Sequence, residues 1–139
     1  MIKKLFFNSA FKTSFLLISA IWLFFNANPT FACEIEVKVL GEEKDIYKVD
    51  DIIDIKLNVT ITCGGCSLPI EYYVYDTNGL EIFEEAEWKE IRPGRVYERE
   101  LKLKVIGNKE GKLTFSITRP CSGLSGGFGS ISFNSEPIE

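Results

Sequence analysis

The sequence predicts an all-β domain, an immunoglobulin-like antiparallel two-sheet sandwich of seven or eight strands. Three observations predict it. Apolar and polar residues alternate at period two along two long stretches, the pattern of half-buried strands. Short apolar runs are separated by the turn clusters Thr77-Asn78-Gly79, Arg92-Pro93-Gly94-Arg95 and Gly107-Asn108-Lys109-Glu110-Gly111. Only "IFEEAEWKEI" has a composition that could make a helix, and Pro93-Gly94 closes it off.

Each strand has its own justification. In "CEIEVKVL", Ile35, Val37 and Val39 alternate with Glu34, Glu36 and Lys38. In "IIDIKLNVTITC", Ile53, Ile55, Leu57, Val59 and Ile61 alternate with Asp54, Lys56, Asn58, Thr60 and Thr62. "LPIEYYVYD" predicts a third strand with Leu68, Ile70, Tyr72 and Val74 on one face, and Asn78-Gly79 then signals a hairpin. "LEIF" and "AEWKEI" are short strands. "VYERELKLKVI" carries Tyr97, Leu101, Leu103 and Val105 in phase; "LTFSITRPC" carries Leu113, Phe115 and Ile117. "GSISF" closes the chain, after a Gly-rich stretch, "SGLSGGFGS", expected as a flexible loop.

The first 32 residues are expected to be a signal peptide, leaving residues 33–139 as the domain. Lys3, Lys4 and Lys12 form a basic n-region, and Ser14 to Phe25 is a 12-residue apolar run. A spanning helix takes about 20 apolar residues, so this run is too short. Thr30 and Ala32 then stand at −3 and −1 of a cut before Cys33. The same junction admits a second, lipoprotein-like reading with a lipid anchor on Cys33. It is the weaker of the two, because Phe31 is bulky at −2 and Thr30 replaces the usual leucine. The expected location is periplasmic or extracellular, with no transmembrane helix in the mature chain.

Composition narrows the function. All 20 acidic residues but only 13 of the 16 basic ones follow residue 32, so the mature charge is 13 − 20 = −7. An acidic surface repels phosphate backbones, which argues against nucleic acid. The mature chain has no His and no Met. That removes the usual general base, common zinc and copper ligands, and any Ser/His or Cys/His pair. No catalytic residue, metal site or cofactor is expected. Asp50, Asp51 and Asp54 read as a solvated turn rather than a calcium loop. Tyr73, Tyr75 and Trp88 read as cross-strand aromatic packing before they read as a ligand platform.

Four cysteines remain: Cys33, Cys63, Cys66 and Cys121. In a sandwich the first strand starts, and the second and the "TRPC" strands end, at one pole, so all four converge there. An exported chain with an even cysteine count reads as a disulfide framework. Phase and pole favour Cys33–Cys63 and Cys66–Cys121. Two alternatives stay open. Cys63-Gly64-Gly65-Cys66 could be a redox dithiol, although no Lys, His or helix N-terminus stands beside it to stabilise a thiolate. A four-cysteine metal site normally needs two C-x-x-C knuckles, and one is present. The loop beside the pole, with Gly123, Gly126, Gly127 and Phe128, is the candidate contact surface.

The segments "YKVDDIIDIKLNVTI", "AEWKEIRPGRVYERELKLKVIGNKEGKLTFSITRPC" and "GGFGSISF" resemble a group of small exported bacterial immunoglobulin-like sandwich domains of uncharacterised function. Cys66, Thr118-Arg119-Pro120-Cys121 and Gly126-Gly127-Phe128-Gly129 carry the likeness. The His that precedes the first cysteine in that group is absent, and Cys63 lies near its place. The resemblance implies export and the fold, and no defined activity. Against true immunoglobulin domains, there is no core Trp on the third strand, and Arg119 stands where a corner Tyr would. The reading is therefore an exported, non-catalytic binding or accessory module with a disulfide-stapled pole and a protein partner in the cell envelope. The alternative is a periplasmic thiol–disulfide or sulfur-handling protein using Cys63 and Cys66.

Overall fold

A computed structural model describes residues 33–62, 68–121 and 124–139, with the backbone alone for 124–125. They all fall in one compact unit, Phe31–Glu139. Among them are eight strands: β1 (Cys33–Val39), β2 (Ile52–Ile61), β3 (Val74–Asn78), β4 (Leu80–Glu85), β5 (Lys89–Arg92), β6 (Val96–Val105), β7 (Lys112–Cys121) and β8 (Leu124–Asn134). Every strand pairing is antiparallel. One sheet has the order β1-β2-β6-β4, with β5 also on β6; the other has the order β3-β7-β8. The described residues contain no helix long and apolar enough to cross a membrane.

The core follows from the alternation. Ile53, Ile55, Leu57 and Val59 of β2 and Leu101, Leu103 and Val105 of β6 are buried against Leu113, Phe115 and Ile117 of β7. Their polar neighbours point outward, so each strand presents one apolar face. Tyr47 packs edge-to-face on Phe133 at 5.4 Å, and its segment forms a parallel bridge to Ser135.

Three expectations are corrected. The third strand begins at Val74, six residues later than "LPIEYYVYD" implies. Residues 68–73 make a turn, closed by the Tyr72 N–H donating to Pro69 O at 3.1 Å. The phase is also reversed: Tyr72 and Val74 are exposed, while Tyr75 faces inward. The cause is local. Pro69 has no N–H for a ladder, and the carbonyls of this segment are bonded by Arg119 instead of by a strand.

Asn78-Gly79 is not a hairpin. Asn78 pairs with Thr114 on β7, whereas Leu80 pairs with Val105 on β6, so the chain crosses between sheets there. Gly79 makes the step at φ 71°, and a Cβ would lie 2.6 Å from Leu113 Cδ2. Only glycine allows both.

The Gly-rich stretch is not a loop either, because from Leu124 onward it is strand β8. Gly127 and Gly129 are buried inside β8, where their missing side chains let β1 approach closely. The composition of a flexible loop and that of a tightly packed strand coincide here.

Candidate functional site: the cysteine pole

Cys33 opens β1 opposite Ile61, the last residue of β2. Cys121 ends β7 and pairs with Leu124 at the start of β8. The two ends are joined through Gly127. It pairs with Arg119 on β7, and a Cβ built on it would stand 2.8 Å from Cys33 Cβ. The structure thus places Cys33 and Cys121 at the same pole. Cys33 is buried and Cys121 partly so. Cys63, Cys66 and Gly123 lie outside the described residues.

Of the other residues expected in the contact surface, Gly126 and Gly127 lie against β7 and β1. Phe128 is the one whose side chain is open, at 56 % exposure. Beside it runs a groove of about 290 Å³ lined by Cys33, Glu34, Ile35, Thr62 and Phe128. The groove lies where the edge strands of the two sheets, β1 and β8, come together.

Arg119 is the structural centre of this pole. It occupies the inward phase of β7 after Leu113, Phe115 and Ile117, and is 1 % exposed. Its Nη2 donates to Leu68 O at 2.6 Å, and its Nη1 donates to Pro69 O at 2.8 Å and Tyr72 O at 3.4 Å. Nε finds no partner among the described residues. The guanidinium fork suits several convergent carbonyl oxygens. It therefore clamps the segment that leaves the Cys63–Cys66 stretch onto the strand that ends in Cys121.

Arg119→Met should strip those carbonyls of their donors while keeping most of the volume. The expected loss is about 1–3 kcal/mol. Hydrogen exchange should speed up at residues 70–73 and stay slow in β2 and β6. Unchanged exchange at 70–73 would remove the clamp.

A second inward arginine was missed by the sequence reading. Arg99 sits in the core phase of β6 between Tyr97 and Leu101, and such a charge requires partners. It finds them on distant elements. Nε donates to Ala86 O at 2.5 Å, and Nη1 donates to the hydroxyls of Tyr73 at 2.5 Å and Tyr75 at 3.3 Å. Nη1 also pairs with Glu85, which accepts from the Tyr73 hydroxyl at 2.9 Å. The Tyr73 and Trp88 rings lie 5.5 and 5.0 Å from the guanidinium carbon. Burial works against the charge, yet the bonds to Tyr75 and Tyr73 and the field of Glu85 outweigh it and raise the Arg99 pKa. Burial likewise pushes the Tyr75 hydroxyl well above its ordinary range, with Arg99 pulling the other way. The aromatic trio thus wraps an arginine at the β3–β4 side of the sandwich.

Asp50 and Asp51 lie in a turn, as expected, whereas Asp54 is an outward residue of β2. Lys48 N–H donates to Asp51 at 2.9 Å, Lys44 pairs with Asp51 at 3.1 Å, and Asp50 pairs with Lys104 at 3.2 Å. The Lys48 N–H, followed by Lys44, holds the Asp51 carboxyl below its usual value. No cluster of metal-ligating side chains occurs among the described residues. No family model, curated protein or solved structure matches the chain.

Proposed function

We propose that the chain is an exported immunoglobulin-like sandwich that serves as a non-catalytic binding or accessory module. Its cysteine pole is the contact surface for a protein partner in the cell envelope, and two disulfides staple it. The strand order supports the fold reading: a four-strand path β1-β2-β6-β4 facing β3-β7-β8 has the ABED/CFG order of constant-type immunoglobulin domains. The observation that carries the contact surface is the open groove at Cys33, Ile35 and Thr62 with the exposed Phe128 ring on its wall. A large apolar side chain left in solvent beside a concave patch is an anchor for a partner.

Two measurements on the protein made in its producing cells test this. Intact mass should show a chain beginning at Cys33, whose four thiols become alkylatable only after reduction. A photo-reactive residue at position 128 should give an adduct with a second protein, and the same residue at Asp54, on the outer face of β2, should give none. A retained leader, or equal yields at both positions, ends the proposal. An adduct of twice the chain mass reports self-association and is scored separately.

A further inference from the structure

We infer that the free edge of β8 pairs with β8 of a second copy, antiparallel about Ser130, and joins two three-stranded sheets into one. This goes beyond the pole reading and does not depend on it.

β8 is the unguarded edge of the fold. Edge strands offer unpaired N–H and C=O groups, and proteins blunt them with charge, Pro, bulges or brevity. The other edges are blunted in these ways. β1 carries Glu34, Glu36 and Lys38. β4 and β5 carry Glu81, Glu84, Glu85, Lys89, Glu90 and Arg92, with a register shift in each. β3 has five residues and Asp76. β8 has 11 residues, LSGGFGSISFN, with no charge and no Pro, and its one register shift lies at its start, before Gly127.

The backbone pattern shows which groups are available. Ser135 N–H donates inward to Gly111 O, while Asn134 O accepts outward from Tyr47 N–H at 2.8 Å. From Gly127 onward, past the register shift, alternation along the strand therefore turns the N–H and C=O of Phe128, Ser130 and Ser132 away from β7. Tyr47 covers the Asn134 end; among the described residues no other backbone group outside β7 bonds to this edge. The side chains of Phe128, Ser130 and Ser132 are exposed.

The occupant follows from charge and size. The full chain carries −4, so two copies repel except where a surface is neutral, and β8 is neutral throughout. Centring the pair on Ser130 sets Phe128 opposite Ser132 of the partner, Gly129 opposite the partner's Ile131, and Gly127 opposite the partner's Phe133. Each bulky residue of these pairs meets a small one, and Gly127 and Gly129 gain apolar neighbours across the strand pair. The arrangement is self-complementary and uses the one such edge per copy, so it closes as a two-fold dimer.

Sedimentation of the exported protein, cysteines intact, should show a reversible dimer, with the amides of Phe128, Ser130 and Ser132 exchanging more slowly as concentration rises. Ser130→Pro removes an outward N–H and leaves the β7 ladder intact, as edge prolines do. Ser130→Lys sets two like charges together on the two-fold. Each should weaken the dimer at least about 100-fold, with circular dichroism unchanged. Asp54→Lys on the opposite sheet should leave it intact. If Ser130→Pro does not fold, Ser130→Lys decides alone. A monomer at every concentration overturns the inference. A dimer that survives Ser130→Lys overturns it as well.

Discussion

Gly127→Val should destabilise the domain by about 3 kcal/mol, a large share of the roughly 5–15 kcal/mol typical of a small domain. A Cβ at 127 would stand 2.8 Å from Cys33 Cβ, 2.9 Å from Cys33 O and 3.0 Å from Ile35 Cδ1. Two of these neighbours are fixed by the backbone of β1, which is itself held along its length by β2. A rotamer change therefore cannot relieve the contact, and β1 must move away from β8. Gly129→Val should behave alike, since its Cβ would meet Ile35 Cγ2 at 2.8 Å and Ile35 O at 3.0 Å. Neither glycine has a positive φ, so the effect is one of space. Glu81→Val on the outer face of β4 is the control and should stay within about 0.5 kcal/mol of the parent. Urea denaturation midpoints compare the three. If Gly127→Val unfolds at the same urea concentration as Glu81→Val, the sheets do not pack through β8.

Those glycines also show where the sequence is legible. β1, β2, β6 and β7 each bury one face and wet the other, and that difference is written locally as alternation. The all-β class, the two sheets and most strand positions follow from it. The closing strand is legible at "GSISF", but the first half of β8 was hidden because its glycines answer to Cys33 and Ile35, far away in the chain. Nothing within "SGLSGGFGS" distinguishes close packing from a mobile loop. The third strand was misplaced for a related reason, since Arg119 takes the carbonyls that a strand at 68–73 would have used. Arg99 was overlooked because its partners lie on β3, on β4 and in the 86–88 connection. Its place between Tyr97 and Leu101 in an inward phase was nonetheless a signal that a local reading could have used. Of the candidate site, the shared pole of Cys33 and Cys121 was legible from strand direction alone, as both lie at strand ends whose polarity the alternation fixes.

On the proposed pairing, Cys121→Ser should lower the melting temperature of the exported protein by more than about 15 °C. Cys66 and Cys121 enclose a loop of 121 − 66 = 55 residues. Closing a loop of that length constrains the unfolded chain by about 4 kcal/mol in the entropic account. A short domain with a modest core has little else in reserve. The native side of the balance points the same way. Arg119 holds the segment beyond Cys66 against the strand that ends in Cys121, so a bridge there would tie together parts that are already adjacent. The chemistry of exchange separates a staple from a catalytic pair. Cys33 is 1 % exposed, and a buried sulfur is a poor target for an incoming thiolate. Structural bridges lie below about −300 mV, whereas pairs that cycle with glutathione sit near −200 mV. Equilibration in glutathione buffers should therefore leave the cysteines oxidised, and only a strong dithiol reductant should release them, with the melting temperature falling as they are released. A Cys63–Cys66 couple that titrates near −200 mV without loss of stability would reverse the assignment. The Cys63-Gly64-Gly65-Cys66 stretch would then be the working part of a thiol–disulfide protein, with Arg119 holding residues 68–72 that follow it.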